Sequence, residues 1–341
     1  MNTKITAILF ALIAAVFYAV NVPVSKILMQ NIPPTFMAAF LYLGAGIGIS
    51  ITALFRPRNT LTKSEPLTKN DLPYVIGMIV LDIAAPILLM LGITYGTSSN
   101  ASLLGNFEIA ATTLIAMLVF HETVSKRLWA ALILITISGM ILTFEGSESI
   151  KFSYGSLLVL GAATCWGLEN NCTRMISAKN TYEIVALKGI FSGAGAFVIA
   201  VLAGEKLPAV KYWVYAMILG FVSYGLSIFF YVKAQNIIGA AKTSAYYAAA
   251  PFIGALLSFM LLDESISGAY IAALGVMLAG SGLAVMDTLL RSHTHEHTHV
   301  LHGRIITHTH MHNHYSGTER HRHFHRFTWP SSPEIHSHSE S

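Results

Sequence analysis

Acidic and amide side chains interrupt an apolar stretch of the chain, and their chemistry is that of solute or proton binding. The segment from Gly161 to Ser177 begins as an apolar helix face and then carries Glu169, Asn170 and Asn171. A carboxylate and two amides inside hydrocarbon are costly, so such groups usually face a bundle interior or a wet cavity. They therefore mark a candidate substrate or ion path within a membrane.

Two more acids, Glu108 and Asp82, lie within apolar segments. Glu108 and Glu169 can each exchange a proton during transport or pair with a cationic substrate. The competing interpretation for both is a glutamate near a helix end that is bonded to a neighbouring amide. Asp82, close to Pro86, is expected to face the same cavity or to pair with Lys188. The favoured expectation for Lys188 itself is that its ammonium extends to the cytoplasmic face.

Neutral polar and aromatic side chains complete the candidate substrate site: Asn21, Asn106, Asn170, Asn171, Tyr18 and Trp166. The amides supply donors and acceptors that orient a substrate, or they bond one helix to another. The aromatic rings line a cavity by stacking or by cation–π contact, or they serve plain packing. The sequence leaves both interpretations open.

Composition indicates which elements must position these groups. The chain has 341 residues, of which 54% are hydrophobic and 11% are charged, whereas a soluble domain typically has about 25% charged residues. The apolar residues come in blocks of roughly 20, the length that a helix needs to cross about 30 Å of hydrocarbon. The sequence therefore predicts an all-α integral membrane protein, with the lipid bilayer as its surroundings and no nucleic-acid partner.

The apolar blocks predict ten transmembrane helices, at about residues 4–29, 35–55, 72–93, 100–120, 126–144, 153–173, 182–203, 212–233, 243–262 and 267–289. Most lysine and arginine residues in the links fall on the side that holds the N-terminus. The positive-inside rule then places both termini in the cytoplasm of a cell membrane, plasma or inner.

The two halves of the predicted membrane region are similar to each other. The segments 14–28 and 162–176 align without a gap, which places Tyr18 at the position of Trp166. A half with five helices crosses the membrane an odd number of times, so the halves run in opposite senses as an inverted repeat. The predicted domains are a first five-helix repeat, a second five-helix repeat and a C-terminal tail, at residues 1–145, 152–290 and 291–341.

Three sequence elements carry a resemblance to a known family. An aromatic–small–polar element ends spans one and six, at 18–21 and 166–169, and a related pair ends spans four and nine, at 106–109 and 249–252. A glycine-rich helix closes each half. With these elements the chain resembles the EamA-type carriers of the drug/metabolite transporter superfamily, over about residues 4–290.

The resemblance implies ten helices in two inverted repeats around a central cavity, with Glu108 and Glu169 on helices beside it. The chain departs from the family pattern at one pair of positions. The Glu-Pro pair of span four is Glu108-Ile109 here, and in span nine it is Ala250-Pro251. One half therefore keeps the acid and the other keeps the proline.

The composition changes after Arg291, and all but one of the 15 histidines lie in this tail. Most repeat as His-x-His, which in an extended chain brings successive imidazoles to one side, and imidazole binds Zn, Ni, Co and Cu. The candidate metal ligands are His293, His295, His297, His299, His308, His310, His312, His314, His321, His323 and His325. The low apolar content predicts disorder without metal. The alternatives are an expression tag and a solubilising tail that changes charge near pH of about 6.5.

Two functions follow from these patterns. The first is a secondary active transporter that exports or exchanges a small metabolite by alternating access, with no cofactor in the membrane core. The alternative is a divalent metal transporter for Ni, Co or Zn, or a metal-regulated carrier that uses the tail. An enzyme is not expected, because the spans hold no phosphate-binding glycine loop and no paired aspartates. The expected partners are a small-molecule substrate, lipid, a divalent transition metal on the tail and a second copy of the chain.

Overall fold

A computed structural model describes residues 3–55, 67–120, 124–145, 151–176, 179–238, 243, 246–301 and 304–315 of the chain. The chain divides into two compact units, Met1–Leu289 and Leu290–Ser341. The described helices belong to the first unit, and the histidine tail forms the second.

The first unit consists of helices joined by links. Its first half forms α1 (Thr3–Ala19), α2 (Asn21–Leu28), α3 (Pro34–Leu54), a 3₁₀ turn (Lys69–Asp71), α4 (Leu72–Tyr95), α5 (Ser98–Leu104), α6 (Phe107–Phe120) and α7 (Lys126–Thr143). Its second half forms α8 (Tyr154–Met175), α9 (Thr181–Leu202), α10 (Val210–Gly220), a π-helical segment (Phe221–Leu226), α11 (Ser227–Ile238), α12 (Ala250–Leu262) and α13 (Gly268–Leu289). Two short strands, β1 (Phe144–Glu145) and β2 (Lys151–Phe152), pair antiparallel in the link between the halves.

The length and hydropathy of its helices indicate that the first unit is a multi-pass membrane bundle. Seven segments in the described part of the chain are long and apolar enough to cross a membrane: Ile5–Leu28, Pro34–Leu54, Lys69–Tyr95, Ser98–Val119, Tyr182–Leu202, Val210–Tyr231 and Gly268–Asp287. Each coincides with a predicted span. The other three predicted spans correspond to α7, α8 and α12, and the count of ten stays a prediction.

Helices from the two halves pack against one another in pairs: α3 on α9, α4 on α8, α1 on α11, α5 on α12 and α7 on α13. Glycine permits two of these approaches. A Cβ on Gly189 of α9 would lie 2.5 Å from the Cα of Gly46 in α3, and a Cβ on Gly155 of α8 would lie 2.8 Å from the Cα of Gly96 after α4. Small residues favour such packing because lipid supplies no hydrophobic drive between helices.

Four spans are interrupted within their length in the described part of the chain, and in the ninth a turn at Ala248 and Ala249 precedes α12. The first breaks at Val20, between α1 and α2, where Pro23 offers no N–H to the carbonyl four residues earlier. The fourth breaks at Gly105 and Asn106, between α5 and α6, and the eighth contains the π-helical segment Phe221–Leu226. Irregular backbone at membrane depth is tolerated where protein buries it or where it lines a water-filled cavity. π-Helical segments also occur frequently at functional sites.

Long side chains cap helix termini at one end of the bundle, which we call the capped end. The Glu205 carboxylate, from the link after α9, accepts the N–H groups of Thr35 (3.1 Å) and Phe36 (3.0 Å) at the start of α3. Lys26, near the end of α2, donates to the carbonyl of Gly96 (2.8 Å) after α4. These side chains satisfy terminal backbone groups that have no partner within their own helix.

A third cap at the same end joins the last link to the first half. Glu264, between α12 and α13, accepts the N–H groups of Ser98 (2.6 Å) and Ser99 (2.9 Å) at the start of α5. A negative charge at a helix N-terminus is favoured by the helix dipole. Glu264 and Glu205 therefore both attach a link of the second half to a helix of the first half.

The described part of the second unit consists of two strands, and the predicted disorder of the metal-free tail stays a prediction. Its backbone forms β3 (Leu290–Leu301) and β4 (Arg304–Tyr315), which pair antiparallel with His293 opposite His312 and His297 opposite His308. Histidine alternates with other residues in this segment, and this alternation has the two-residue period of a strand. Residues 316–341, with His321, His323 and His325, lie outside the described residues.

We expect Glu264→Ala to lower the thermal unfolding midpoint of the detergent-solubilised protein. The change removes the acceptor of two N–H groups at the start of α5, and an unsatisfied buried donor costs about 1–3 kcal/mol. Glu183→Ala is the matched control, since the exposed Glu183 side chain accepts a bond from Asn180 only three residues away (3.3 Å). Equal midpoints for the two variants would contradict the assignment of Glu264 as a cap.

Candidate functional site

One ammonium group joins two buried carboxylates inside the bundle. Lys188 Nζ of α9 lies 3.0 Å from Asp82 Oδ2 of α4 and 3.0 Å from Glu169 Oε2 of α8. Asp82 is 0% exposed and Glu169 is 2% exposed. The expectation that Lys188 extends to the cytoplasmic face is therefore wrong, because two carboxylates hold its ammonium inside, whereas the alternative pairing with Asp82 is present.

Hydrogen bonds fix both buried acids in place. Tyr42 of α3 donates its hydroxyl to Asp82 Oδ1 (3.0 Å), and Trp166 Nε1 of α8 donates to the Tyr42 hydroxyl oxygen (3.2 Å). Thr173, one turn along α8, donates to Glu169 Oε1. A buried ion pair is favourable only when additional hydrogen bonds satisfy its remaining lone pairs. Tyr42 and Thr173 each supply one such bond to an acid, and Trp166 holds the Tyr42 hydroxyl in place.

Glu108 forms a separate acidic position without a lysine bonded to it among the described side chains. It lies in the first turn of α6, and Asn170 Nδ2 donates to its Oε1 (2.6 Å) and to Thr112 Oγ1 (3.2 Å). Unlike Asp82 and Glu169, Glu108 is only half-buried. The structure thus brings Glu108 and Asn170 together.

The other two predicted amides serve the packing of the helices that carry the acids. Asn171 Nδ2 donates to the carbonyl groups of Thr112 (3.1 Å) and Gly167 (2.8 Å), which ties α8 to α6. Asn106 is 2% exposed and donates to the carbonyl of Leu103 (3.5 Å) at the break between α5 and α6. Asn171 thus bonds one helix to another and Asn106 bonds its own span, and a role of either amide in substrate binding stays a prediction.

Tyrosine rings surround Asn21 and Tyr18 on the other side of the site. Asn21 Nδ2 donates to the Tyr224 hydroxyl oxygen (3.0 Å) in the π-helical segment. The Tyr18 ring lies edge-on to Tyr224 at a centroid distance of 5.9 Å and is tilted against Tyr247 at 5.7 Å. Tyr224 also contacts Tyr42 at 5.2 Å, which connects the tyrosines to the Asp82 network.

Exposure divides these residues into two groups. The first, which we call the buried base, comprises residues that are at most 8% exposed: Asn21, Tyr42, Asp82, Trp166 and Glu169. The second, which we call the accessible rim, comprises half-buried residues: Tyr18, Glu108, Asn170, Lys188, Tyr224 and Tyr247. The site therefore consists of an enclosed part and a part that keeps some exposed surface.

Sequence reasoning missed Tyr42, Tyr224 and Tyr247, and it treated Lys188 as peripheral. A signal for two of them was present in the chain, because Tyr42 and Lys188 occupy equal positions in the segments that begin at Thr35 of α3 and Thr181 of α9. Tyr224 and Tyr247 carry no comparable signal, since tyrosines in apolar helices are usually packing residues.

The arrangement can hold and release a charged or protonatable solute. Among the residues that the structure describes, no group of three His, Cys, Asp or Glu side chains lies close enough to hold a metal ion. The side chains of the candidate metal ligands in the tail are outside that set. The membrane site thus consists of ionisable, amide and aromatic groups.

The chain is similar to transporters in sequence and to a solved structure in fold. It matches the model of the EamA-like transporter family over residues 5–144 and 153–286. It is 26% identical over 272 residues to an uncharacterized transporter of Methanothermobacter thermautotrophicus, covering 74% of this chain and 78% of that protein. It is 21% identical over 236 residues to the uncharacterized transporter YyaM of Bacillus subtilis, covering 65% of this chain and 77% of that protein. A solved crystal structure with 16% identity shares the fold, with a TM-score of 0.59 over 83% of this chain and 96% of that chain.

We expect Lys188→Met to destabilise the protein by about 3 kcal/mol or more, because removing one partner leaves buried carboxylates uncompensated. The triple change Lys188→Met, Asp82→Asn and Glu169→Gln should recover most of that loss, since it removes the charges together. Thermal unfolding in detergent measures both effects.

The control for this prediction is Lys206→Met. Lys206 lies in the link after α9 with an exposed side chain, and substitutions of exposed residues usually change stability by no more than about 0.5 kcal/mol. If the triple variant is no more stable than Lys188→Met alone, the ion pairs do not stabilise the packing of α4, α8 and α9.

Proposed function

Because the chain belongs to the EamA-like transporter family, we propose that it is a secondary active transporter that moves a small metabolite across the cell membrane by alternating access, in export or exchange. The family and the relatives indicate a membrane transporter rather than an enzyme. The observation that carries the proposal is the Lys188 ion pair with Asp82 and Glu169, which joins α4, α8 and α9 inside the bundle.

We propose further that the ten spans form two inverted repeats, at residues 1–145 and 152–290, with both termini in the cytoplasm. The family model matches each half separately. The helix pairs support the same symmetry. Exchanging the halves turns the α4–α8 pair into the α11–α1 pair, whereas α3–α9, α5–α12 and α7–α13 are exchanged within themselves. Such symmetry allows one sequence pattern to form two states that open to opposite sides.

The charges suggest how binding is coupled to the conformational change. Asp82 belongs to the first half, and Glu169 and Lys188 belong to the second, so the ion pair between Asp82 and Lys188 crosses between halves. A ligand or proton changes a conformational equilibrium only if it binds the two states with different affinity. A solute or proton that neutralises Glu108 or Glu169 alters the negative charge near Lys188. This change supplies the difference in affinity between the two conformational states.

Metal transport by the membrane core has no support from the described residues. Binding of a divalent transition metal by the tail remains a separate proposal about the second unit. The register of β3 and β4 supports it, because His293, His295 and His297 are paired with His312, His310 and His308. Residues at such paired positions share one face of a two-stranded sheet.

We expect Glu108→Gln and Glu169→Gln each to reduce flux at least about tenfold, which corresponds to about 1.4 kcal/mol per interaction lost. Each change keeps the side-chain shape and removes the charge. The measurement is efflux of isotope-labelled small metabolites from proteoliposomes, with membrane insertion checked by protease accessibility. Thr113→Val is the control, because Thr113 bonds only its own helix at the Ile109 carbonyl (2.8 Å). Unchanged flux in both glutamine variants would remove the site assignment.

A further inference from the structure

We infer that the hairpin of β3 and β4 binds one divalent transition-metal ion such as Zn²⁺ through His295, His310 and a neighbouring pair of histidines. The inference rests on the proposal that the tail binds such a metal and deepens it, because it names the ligands and the number of ions. It does not depend on the transport function. Three observations carry it: the face on which the histidines lie, the register of the strands, and the composition of the opposite face.

The histidines of the two strands occupy one face of the hairpin. Residues two apart in a strand share a face, and so do residues directly opposite each other in an antiparallel pair. The register therefore places the odd-numbered positions of β3 and the even-numbered positions of β4 on the same face. A slip by one residue would put the histidines of the two strands on opposite faces. The shared face holds His293, His295, His297, His299, His308, His310, His312 and His314.

The register also aligns most of these histidines in three successive cross-strand pairs. Residues directly opposite each other have Cβ atoms about 4.5–5.5 Å apart, and the next pair on the same face follows after about 7 Å of strand. Two adjacent pairs supply four imidazoles, and four is the number of ligands that Zn²⁺ takes in structural sites. The pairs are His293 with His312, His295 with His310, and His297 with His308.

The middle pair, His295 with His310, which we call the central pair, belongs to both sets of four. The hairpin can therefore fill only one of the two sets at a time, which limits it to one tightly bound ion. His299 and His314 lie at the edges of the array, because the register places them opposite Ile306 and Arg291. The central pair is thus the most important for binding, and the edge histidines are the least important.

The opposite face of the two strands has the composition of a strand rather than of a metal site. Within β3 and β4 it contains no histidine, and half of its residues are β-branched, a type that favours strands. Two residues separate Leu301 from Arg304 in the sequence, and a link of that length restricts the register of a hairpin. A two-stranded hairpin is only marginally stable in water. A metal ion that joins both strands therefore couples binding to strand formation.

The test is titration calorimetry of the full chain in detergent with Zn²⁺, after chelator treatment, at a pH of about 7.5, where imidazole is neutral. Two double variants each remove two histidines: the central variant is His295→Thr with His310→Thr, and the edge variant is His299→Thr with His314→Thr. Threonine suits a strand. We expect the unchanged protein to bind one ion tightly. The central variant should bind it at least about tenfold more weakly, a difference of about 1.4 kcal/mol, and the edge variant within about threefold.

A second pair of variants keeps the composition of the tail constant and changes only the face. Thr309→His with His310→Thr moves one histidine of the central pair to the opposite face. Asn313→His with His314→Asn makes the same move at the edge of the array. We expect the first exchange to weaken Zn²⁺ binding at least about tenfold and the second to change it by less than about threefold, because only the first breaks the central pair.

Equal losses of affinity in the central and edge variants, or two ions bound with equal affinity, would overturn the ligand set. The proposal that the tail binds a transition metal would then still stand. If the full chain does not bind Zn²⁺ at micromolar concentration, both proposals fail. None of these outcomes bears on transport, which the flux of Glu108→Gln and Glu169→Gln tests separately.

Discussion

A lysine ammonium held between two carboxylates is the interaction on which the rest of the membrane unit depends. Lys188 is tolerated inside the bundle only because Asp82 and Glu169 approach it from α4 and α8. That approach requires α9 to pack closely on α3, which the contact of Gly189 with Gly46 permits. Helix packing and the ion pairs are thus linked. A bulkier residue at either glycine would separate α9 from α3 and displace the lysine from the carboxylates.

The interrupted helices place backbone of irregular geometry beside these buried charges. The π-helical segment carries Tyr224, and the break between α1 and α2 lies between Tyr18 and Asn21. Asp82, Glu169 and Lys188 lie within regular helices, whereas Tyr18, Asn21 and Tyr224 lie at or beside irregular backbone. A transporter needs both properties, because a ligand must find formed contacts and the same contacts must separate when the site opens to the other side.

Much of this arrangement is legible in the sequence. Block length and polar interruptions predicted the spans and the acids Glu108, Glu169 and Asp82. The favoured position of Lys188 was wrong because snorkelling describes one helix in lipid, whereas the position of this ammonium is decided by acids on two other helices. Tyr247 was missed for a related reason, since its importance comes from three-dimensional neighbours. The prediction of tail disorder used composition, whereas the strands follow the period-two alternation of the histidines.

The side chains at the capped end also bear on which conformation of the protein is the more stable. Glu205 and Glu264 belong to links of the second half, and the helix termini that they satisfy belong to the first half. Parting the halves at that end strips four backbone N–H groups of their acceptors in one event, before water can replace them. These caps therefore favour the conformation in which the two halves meet at the capped end.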